Sequence, residues 1–157
     1  YQNLGDRYRN VVGIFMNQLM QGKQLTVFGD GGQTRAFSYI GDVAPYIAQC
    51  VDVPAAYNQI FNIGADQDYS VAELAKTTMK AIGIEGELRH LPARNEVVHA
   101  HSDHSKIKSV FNMTPALGLY DGLKKMSDWA KTAGIRKSPK FENIEITEKL
   151  PAVWLED

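Results

Sequence analysis

The 157-residue chain has a single cysteine, Cys50. No intrachain disulfide can form, so packing must hold the fold, and a reducing, cytoplasmic setting is the expectation. A basic surplus is also lacking. Lys plus Arg number 17 and Asp plus Glu 18, for a formal charge of -1. That excludes the broad cationic footprint of a nucleic-acid binder, and any bound anion should be held by a few placed residues rather than by a general field. There is no run of about eighteen apolar residues, hence no expected membrane-spanning helix. No charged-then-apolar leader opens the sequence either. Internal repeats and low-complexity stretches are missing. The chain starts at Tyr1 rather than methionine, which makes a fragment or a trimmed product the expectation.

Catalytic signatures are missing as well. The sequence contains no G-x-S-x-G, no H-E-x-x-H and no C-x-x-C. The turn Gly29-Asp30-Gly31-Gly32 lacks the Lys and Ser/Thr of a phosphate-binding loop and the spacing of G-x-G-x-x-G, so it is expected to be only a tight turn. Cys50 lies on an apolar helical face and should be a buried core thiol.

What is present fits an average globular α/β chain, 44% hydrophobic and 22% charged. Apolar residues recur at helical spacing from Asn10 to Gly22, with Asn10 as cap. Leu25–Phe28 reads as a strand, and 35–40 alternates as strands do. Asp42 is expected to cap a helix through Val51, with Pro45 in its first turn. Gln59 to Gly64, with IFNIG at its heart, reads as a short buried strand. Ser70-Val71-Ala72-Glu73 is a capping box opening a helix that ends at Gly83. Leu88–Leu91 is expected as a strand, His104–Phe111 as a short helix capped by Ser102 or Asp103, and 119–132 as a helix with Leu123, Met126, Trp129 and Ala130 on one face. The tail offers one further strand, FENIEIT, 141–147. Alternating helices and strands argue α/β. The strands are few and scattered, so the pattern resembles part of an α/β protein.

Two arginines and one histidine-rich stretch could carry chemistry. Arg35 follows the glycine turn, and Arg94 sits in a polar connection. A guanidinium offers five donors in a rigid fork that matches phosphate oxygens, and two such groups from distant segments could meet on one pyrophosphate. The alternatives for Arg35 are a solvated side chain or an ion pair with Asp30. In HAHSDH, His99, His101 and Asp103 would share one face of a strand beside His104, a candidate metal site. If instead a helix starts there, Asp103 becomes a cap and the side chains point apart.

The ordered set VVGIFMNQLMQGKQLTVFGDGGQTRAFSYIGDV, FNIG with SVAELA, PAR followed by Glu96 and valine, and SDHSKIKSVFNMTPALGLYDGLKKMSDW covers most of 1–132. Together these stretches resemble the C-terminal part of the extended short-chain dehydrogenase/reductases. Within them they look most like the NAD-dependent nucleotide-sugar epimerases and dehydratases, UDP-glucose 4-epimerase among them, which makes isomerase chemistry the family's activity. The resemblance implies a substrate-binding portion over 1–137, a tail over 138–157, and a main Rossmann domain absent from this chain. It implies a nucleotide-diphosphate sugar as ligand, with backbone contacts near Thr26 and Phe28, a diphosphate clasped by Arg35 and Arg94, Glu96 near the ribose, and the helix start around Val11 and Val12 beside the diphosphate. NAD is implied for the complete family enzyme. The glycine fingerprint and the family's Tyr-x-x-x-Lys pair are expected to be missing, leaving the chain inactive alone. The chain departs from the family's Arg-Asp-Phe at Arg35-Ala36-Phe37, and its RNEV is one residue shorter than Arg-Pro-Gly-Asp/Glu-Val. Helix 43–51 and IFNIG would pack on the absent domain. Their exposure here would favour a homo-oligomer or a separate N-terminal partner.

Overall fold

The computed structural model describes residues 2–6, 9–139, 145 and 148–150. Helix α1 (Val11–Met20) leads to strand β1 (Leu25–Phe28), and the glycine turn leads on to β2 (Thr34–Ala36). Helix α2 (Ala44–Gln49) follows, then β3 (Asp68–Ser70), α3 (Val71–Ile82), β4 (Leu88–Leu91), α4 (Ser105–Val110) and α5 (Leu119–Ala133). The expected 141–147 strand falls mostly outside the described residues.

Amphipathic periodicity builds the main core. In α3 the buried positions Val71, Leu74, Ala75, Thr78, Ala81 and Ile82 recur at three- and four-residue steps, the mark of a helix with one face turned inward. They meet Phe15, Met16 and Leu19 of α1, Leu25 and Val27 of β1, and Leu119, Leu123 and Ala130 of α5. Two hydroxyls sit inside this core, each with a carbonyl to donate to. Thr78 Oγ1 reaches Leu74 O at 2.8 Å, and Ser127 Oγ reaches Ala81 O at 3.2 Å. Burial without those bonds would cost stability.

β1 and β4 pair in parallel, from Leu25 opposite Leu88 to Phe28 opposite Leu91, with α3 in the crossover. β2 and β3 pair antiparallel, from Thr34 opposite Ser70 to Ala36 opposite Asp68. Gly29 and Gly31 take φ of 63° and 78°, a conformation costly for side-chain-bearing residues. Gly31 is also crowded, since an added Cβ would lie 2.9 Å from Val27 Cγ1. A smaller cluster packs Tyr46, Ala56, Ile107 and Phe111, with the rings of Tyr46 and Phe61 edge-on to Phe111 at 6.1 and 5.9 Å.

Several expectations need correction. IFNIG forms no strand: a strand needs a ladder partner, and this stretch has none among the described residues. Ile60 is 86% exposed, while Phe61 and Ile63 lean on the smaller cluster. β2 ends at Ala36, where its partner β3 runs out. β3 itself is not signalled by Asp68-Tyr69-Ser70, which has no apolar alternation. Asp42 lies in a 3₁₀ turn, Ile40–Asp42, and does not cap α2. Its carboxylate accepts the Leu117 N–H at 2.7 Å instead. Asn10 does not cap α1 with its side chain, because at φ 64° it has left the extended conformation of a side-chain N-cap. Gln2 Oε1 takes the Gly13 N–H at 3.1 Å in its place. Cys50 is half-buried rather than a core thiol, and its Sγ donates to Tyr46 O at 3.2 Å.

The capping box is borne out. Ser70 Oγ accepts the Glu73 N–H at 3.1 Å, and Glu73 Oε2 accepts the Ser70 N–H at 2.8 Å. The bond from the Ser70 N–H, joined by that from its hydroxyl, holds the Glu73 carboxyl below its ordinary range. A lowered carboxyl pKa contributes stability above the unfolded value and loses it as pH falls through the folded one. We predict that Ser70→Ala costs about 1 kcal/mol in thermal or denaturant unfolding at neutral pH. The deficit should shrink below the carboxylate range, where Glu73 is protonated in both proteins.

Candidate functional site

A hollow of about 840 Å³ opens between α1, the edge of β1 that no other described strand covers, and the connection after β4. That size suits a nucleotide-sized ligand. Strand alternation builds one wall. Leu25 and Val27 turn into the core, so Thr26 and Phe28 line the hollow. The N–H groups of Leu25 and Gly29 donate to Glu87 O, just before β4, and to Leu91 O at its end, which leaves the backbone of 26 and 28 on the other edge. There the glutamine amides take them. Gln18 Oε1 accepts the Thr26 N–H at 3.3 Å while its Nε2 donates to Thr26 Oγ1 at 3.0 Å, and Gln33 Nε2 donates to Phe28 O at 3.1 Å.

Arg35 reaches across from β2. Its Nη1 donates to Thr34 O at 2.7 Å and Val98 O at 3.2 Å, and its Nη2 to Val97 O at 2.6 Å. The same Nη2 lies 3.3 Å from Glu96 Oε2. Arg35 therefore pairs with Glu96, while the Asp30 carboxylate accepts the Gly32 N–H at 2.8 Å and shapes the turn. Arg94 comes from the opposite wall, its guanidinium stacked 3.9 Å from the centre of the Phe28 ring and its Nη2 3.4 Å from Glu96 Oε2. Residues 59 positions apart in sequence thus meet on one carboxylate.

Of the six residues singled out from the sequence, Thr26, Phe28, Arg35, Arg94 and Glu96 line this hollow. Val12 does not: the helical turn carries its side chain inward, where it is 7% exposed beside a second, smaller hollow. Val11 and Ile14 line the main one instead. Sequence reasoning missed Gln18, Gln33, Arg9, Lys23, Arg89 and Lys137, which also line it. Gln18 was within reach, lying seven residues after Val11 on the same helical face. Arg89 is two residues from Leu91, so strand alternation puts both on this wall. Among the described residues, six Lys and Arg side chains line the hollow against two acidic ones, Asp6 and Glu96, although the chain carries net charge -1. The local field is more cationic than the composition suggests.

The histidine-rich stretch does not gather. His99 Nδ1 meets Thr34 Oγ1 at 2.9 Å, and His101 Nδ1 faces Asp68 at 3.5 Å. His104, buried, lies between Asp66 Oδ1 at 2.9 Å and Ser102 Oγ at 2.8 Å. Asp103 turns back to accept the Ser105 N–H at 2.9 Å from one position ahead of the α4 N-cap, which is His104 without a side-chain cap bond, so neither Ser102 nor Asp103 is the cap expected. Among the described residues no group of three His, Cys, Asp or Glu is placed to hold a metal. The Asp66 carboxyl is held below its ordinary range by the Lys108 ammonium and then by His104.

One expectation about the sequence itself is wrong. The Tyr-x-x-x-Lys spacing does occur, at Tyr120 and Lys124 on α5. Neither lines either hollow. Lys124 pairs with Asp128 at 2.7 Å, and Lys80 lies over the Tyr120 ring at 5.2 Å.

Known proteins resemble this chain in sequence and fold. Residues 2–64 match the NAD dependent epimerase/dehydratase family. A Methanocaldococcus jannaschii protein provisionally assigned as a UDP-glucose 4-epimerase is 34% identical over 122 residues, 77% of this chain and 39% of that one. UDP-glucuronic acid decarboxylase 1 of Xenopus tropicalis is 32% identical over 116 residues, 73% of this chain and 27% of that one. Among solved structures, the UDP-glucose 4-epimerase of Thermotoga maritima with UDP-glucose superposes with TM-score 0.73 at 27% identity, covering 85% of this chain and 43% of that one. The Bacillus cereus UDP-glucuronic acid 4-epimerase in complex with UDP-glucuronic acid and NAD gives 0.73 at 27%, covering 82% and 42%. The chain thus spans about two-fifths or less of the length of these relatives. No helix among the described residues is long and apolar enough to cross a membrane.

Arg35 spans four acceptors, which a single ammonium cannot do. We predict that Arg35→Lys speeds hydrogen exchange at the Thr34 and Ala100 amides, which donate to Val98 O and Thr34 O respectively, while the α3 amides exchange as in wild type. Sequence and fold together place the chain in the NAD-dependent epimerase/dehydratase family, with its UDP-glucose 4-epimerase-like members.

Proposed function

We propose that this chain, over residues 1–137, is the nucleotide-sugar-binding portion of an NAD-dependent epimerase or dehydratase, with a tail from 138. The main hollow takes a UDP-sugar, its diphosphate between Arg35 and Arg94. The convergence of those two guanidinium groups on one carboxylate carries the reading, because what binds a carboxylate in that fork also binds phosphate oxygens. Support comes from two relatives whose structures contain UDP-glucose and UDP-glucuronic acid. The open edge of β1 gives the base backbone groups to bond once the amides of Gln18 and Gln33 swing aside. The family resemblance makes Glu96 the acceptor for a ribose hydroxyl.

NAD is the cofactor the family implies. The residues described here do not form its cradle. The glycine turn after β1 runs into β2 and not into a helix N-terminus, so it presents no row of free N–H groups to a pyrophosphate. The Tyr120–Lys124 pair lies away from the hollow. We assign no hydride or proton transfer to this chain's residues, and take it to be inactive alone.

Calorimetric titration with UDP and UDP-glucose tests the reading. We expect weak binding, with Arg35→Ala and Arg94→Ala each losing about tenfold or more, in line with ~1.5–3 kcal/mol for a hydrogen bond to a charged group. Affinities unchanged in both variants would refute it.

A second reading, association through the exposed apolar face, has its own observation. Ile40, Ile47, Val51, Tyr57 and Ile60 are all more than half exposed, on α2 and the turns flanking it. Side chains of this kind favour a partner, whether a second copy or a separate NAD domain. Light scattering at high concentration should show self-association that Ile47→Glu with Ile60→Glu reduces. A monodisperse wild-type monomer would argue against a second copy as that partner.

A further inference from the structure

The two oxygens of Glu96 are gripped from three segments. Oε2 receives Nη2 of Arg35 at 3.3 Å and Nη2 of Arg94 at 3.4 Å, and Oε1 receives the Gln33 amide at 3.4 Å and Arg94 again at 3.5 Å. Two guanidinium groups and an amide closing on a carboxylate are an anion site with its anion in place. Here the anion is the chain's own. It is loosely seated, since charge-assisted N–H···O bonds usually run at ~2.7–2.9 Å. The pairs are also part-exposed, with side chains 27–28% accessible.

We propose that Glu96 is a tethered competitor, occupying the diphosphate position of the hollow and having to leave Arg35 and Arg94 before a diphosphate can bind. The inference rests on the diphosphate reading above and adds a consequence that reading does not contain. A carboxylate on a short tether acts at an effective concentration on the order of millimolar. A singly charged ligand below that level only exchanges one anion for another and does not accumulate. A diphosphate brings two charged centres for two guanidinium groups and displaces the carboxylate with a net gain. Glu96 thereby sets the charge a ligand needs as well as its affinity. The departure of Glu96 leaves the Arg35 bonds to Thr34 O, Val97 O and Val98 O intact, so the loop stays docked while the hollow becomes cationic.

Inorganic pyrophosphate is the probe, because it has no sugar hydroxyl for a carboxylate to accept from. Calorimetric titration of the full chain should show pyrophosphate binding Glu96→Gln about tenfold more tightly than wild type, the low end for losing a charged hydrogen-bond partner at a part-exposed site. Glu96→Asp should stay within about threefold of wild type, since it keeps the charge. A second measurement needs no variant: in wild type labelled at glutamate, the Glu96 carboxyl carbon resonance should shift toward its solvent-exposed position as pyrophosphate saturates. Glu96→Gln binding no more tightly, or a Glu96 resonance unmoved at saturation, overturns the proposal while leaving a diphosphate site that Arg94→Ala still weakens. Pyrophosphate binding neither wild type nor Glu96→Gln at millimolar concentration overturns both.

Discussion

The Arg35 fork is the contact on which the hollow depends. One side chain on β2 donates to three carbonyls, one beside it and two on the chain after β4, and to one carboxylate. Thr34 O and Val98 O also accept the Ala100 and Thr34 N–H groups, while Val97 O and Val98 O lie on the irregular backbone after β4. Tying them to a guanidinium holds residues 96–98 against β2 and fixes where Glu96 sits. Arg94 meets the same carboxylate from the far wall, with Phe28 as its platform. A planar cation on an aromatic face keeps its orientation at small entropic cost. The arrangement is therefore preorganised around an anion before any ligand arrives.

Rigid elements supply the frame and loops supply the cations. β1 lies on the packed α1–α3–α5 core, which is why Thr26 and Phe28 hold their places along its open edge. Arg94 and Glu96 sit on a connection with little regular structure, and Gln33 on the turn. This division is common in binding sites, where a scaffold positions loops that do the recognising. It also lets cationic side chains gather in a chain of net charge -1, because most acidic residues among those described lie elsewhere on the surface. Several polar groups the sequence marks as reactive are structural. His104 is enclosed between Asp66 and Ser102, and Asp103 bonds the first N–H of α4, so the histidine-rich stretch pins a loop to a helix.

Where the sequence could be read, the cause was local. The capping box of α3, the glycine ends of the turn, the amphipathic face of α5 and the β1 and β4 runs are each decided within a few residues, and they stand where expected. IFNIG failed because a strand is a relation between two segments, and apolar content does not supply the second one. β3 was invisible for the converse reason: an unremarkable tripeptide is a strand because β2 lies beside it. Asp42 looked like a cap, but its carboxylate found the Leu117 N–H, 75 residues away.

By itself, the sequence determined an α/β chain without disulfides, the helices and strands of its core, and two arginines suited to phosphate. Guanidinium chemistry and amphipathic periodicity belong to residues and short windows, and need no partner to be recognised. Only the tertiary structure decided that Arg35 and Arg94 share one carboxylate, that Phe28 lies under one of them, that Val11 rather than Val12 faces the hollow, and that the histidines go separate ways. Those outcomes depend on distances between segments far apart along the chain, and packing of the core sets such distances where local preference cannot.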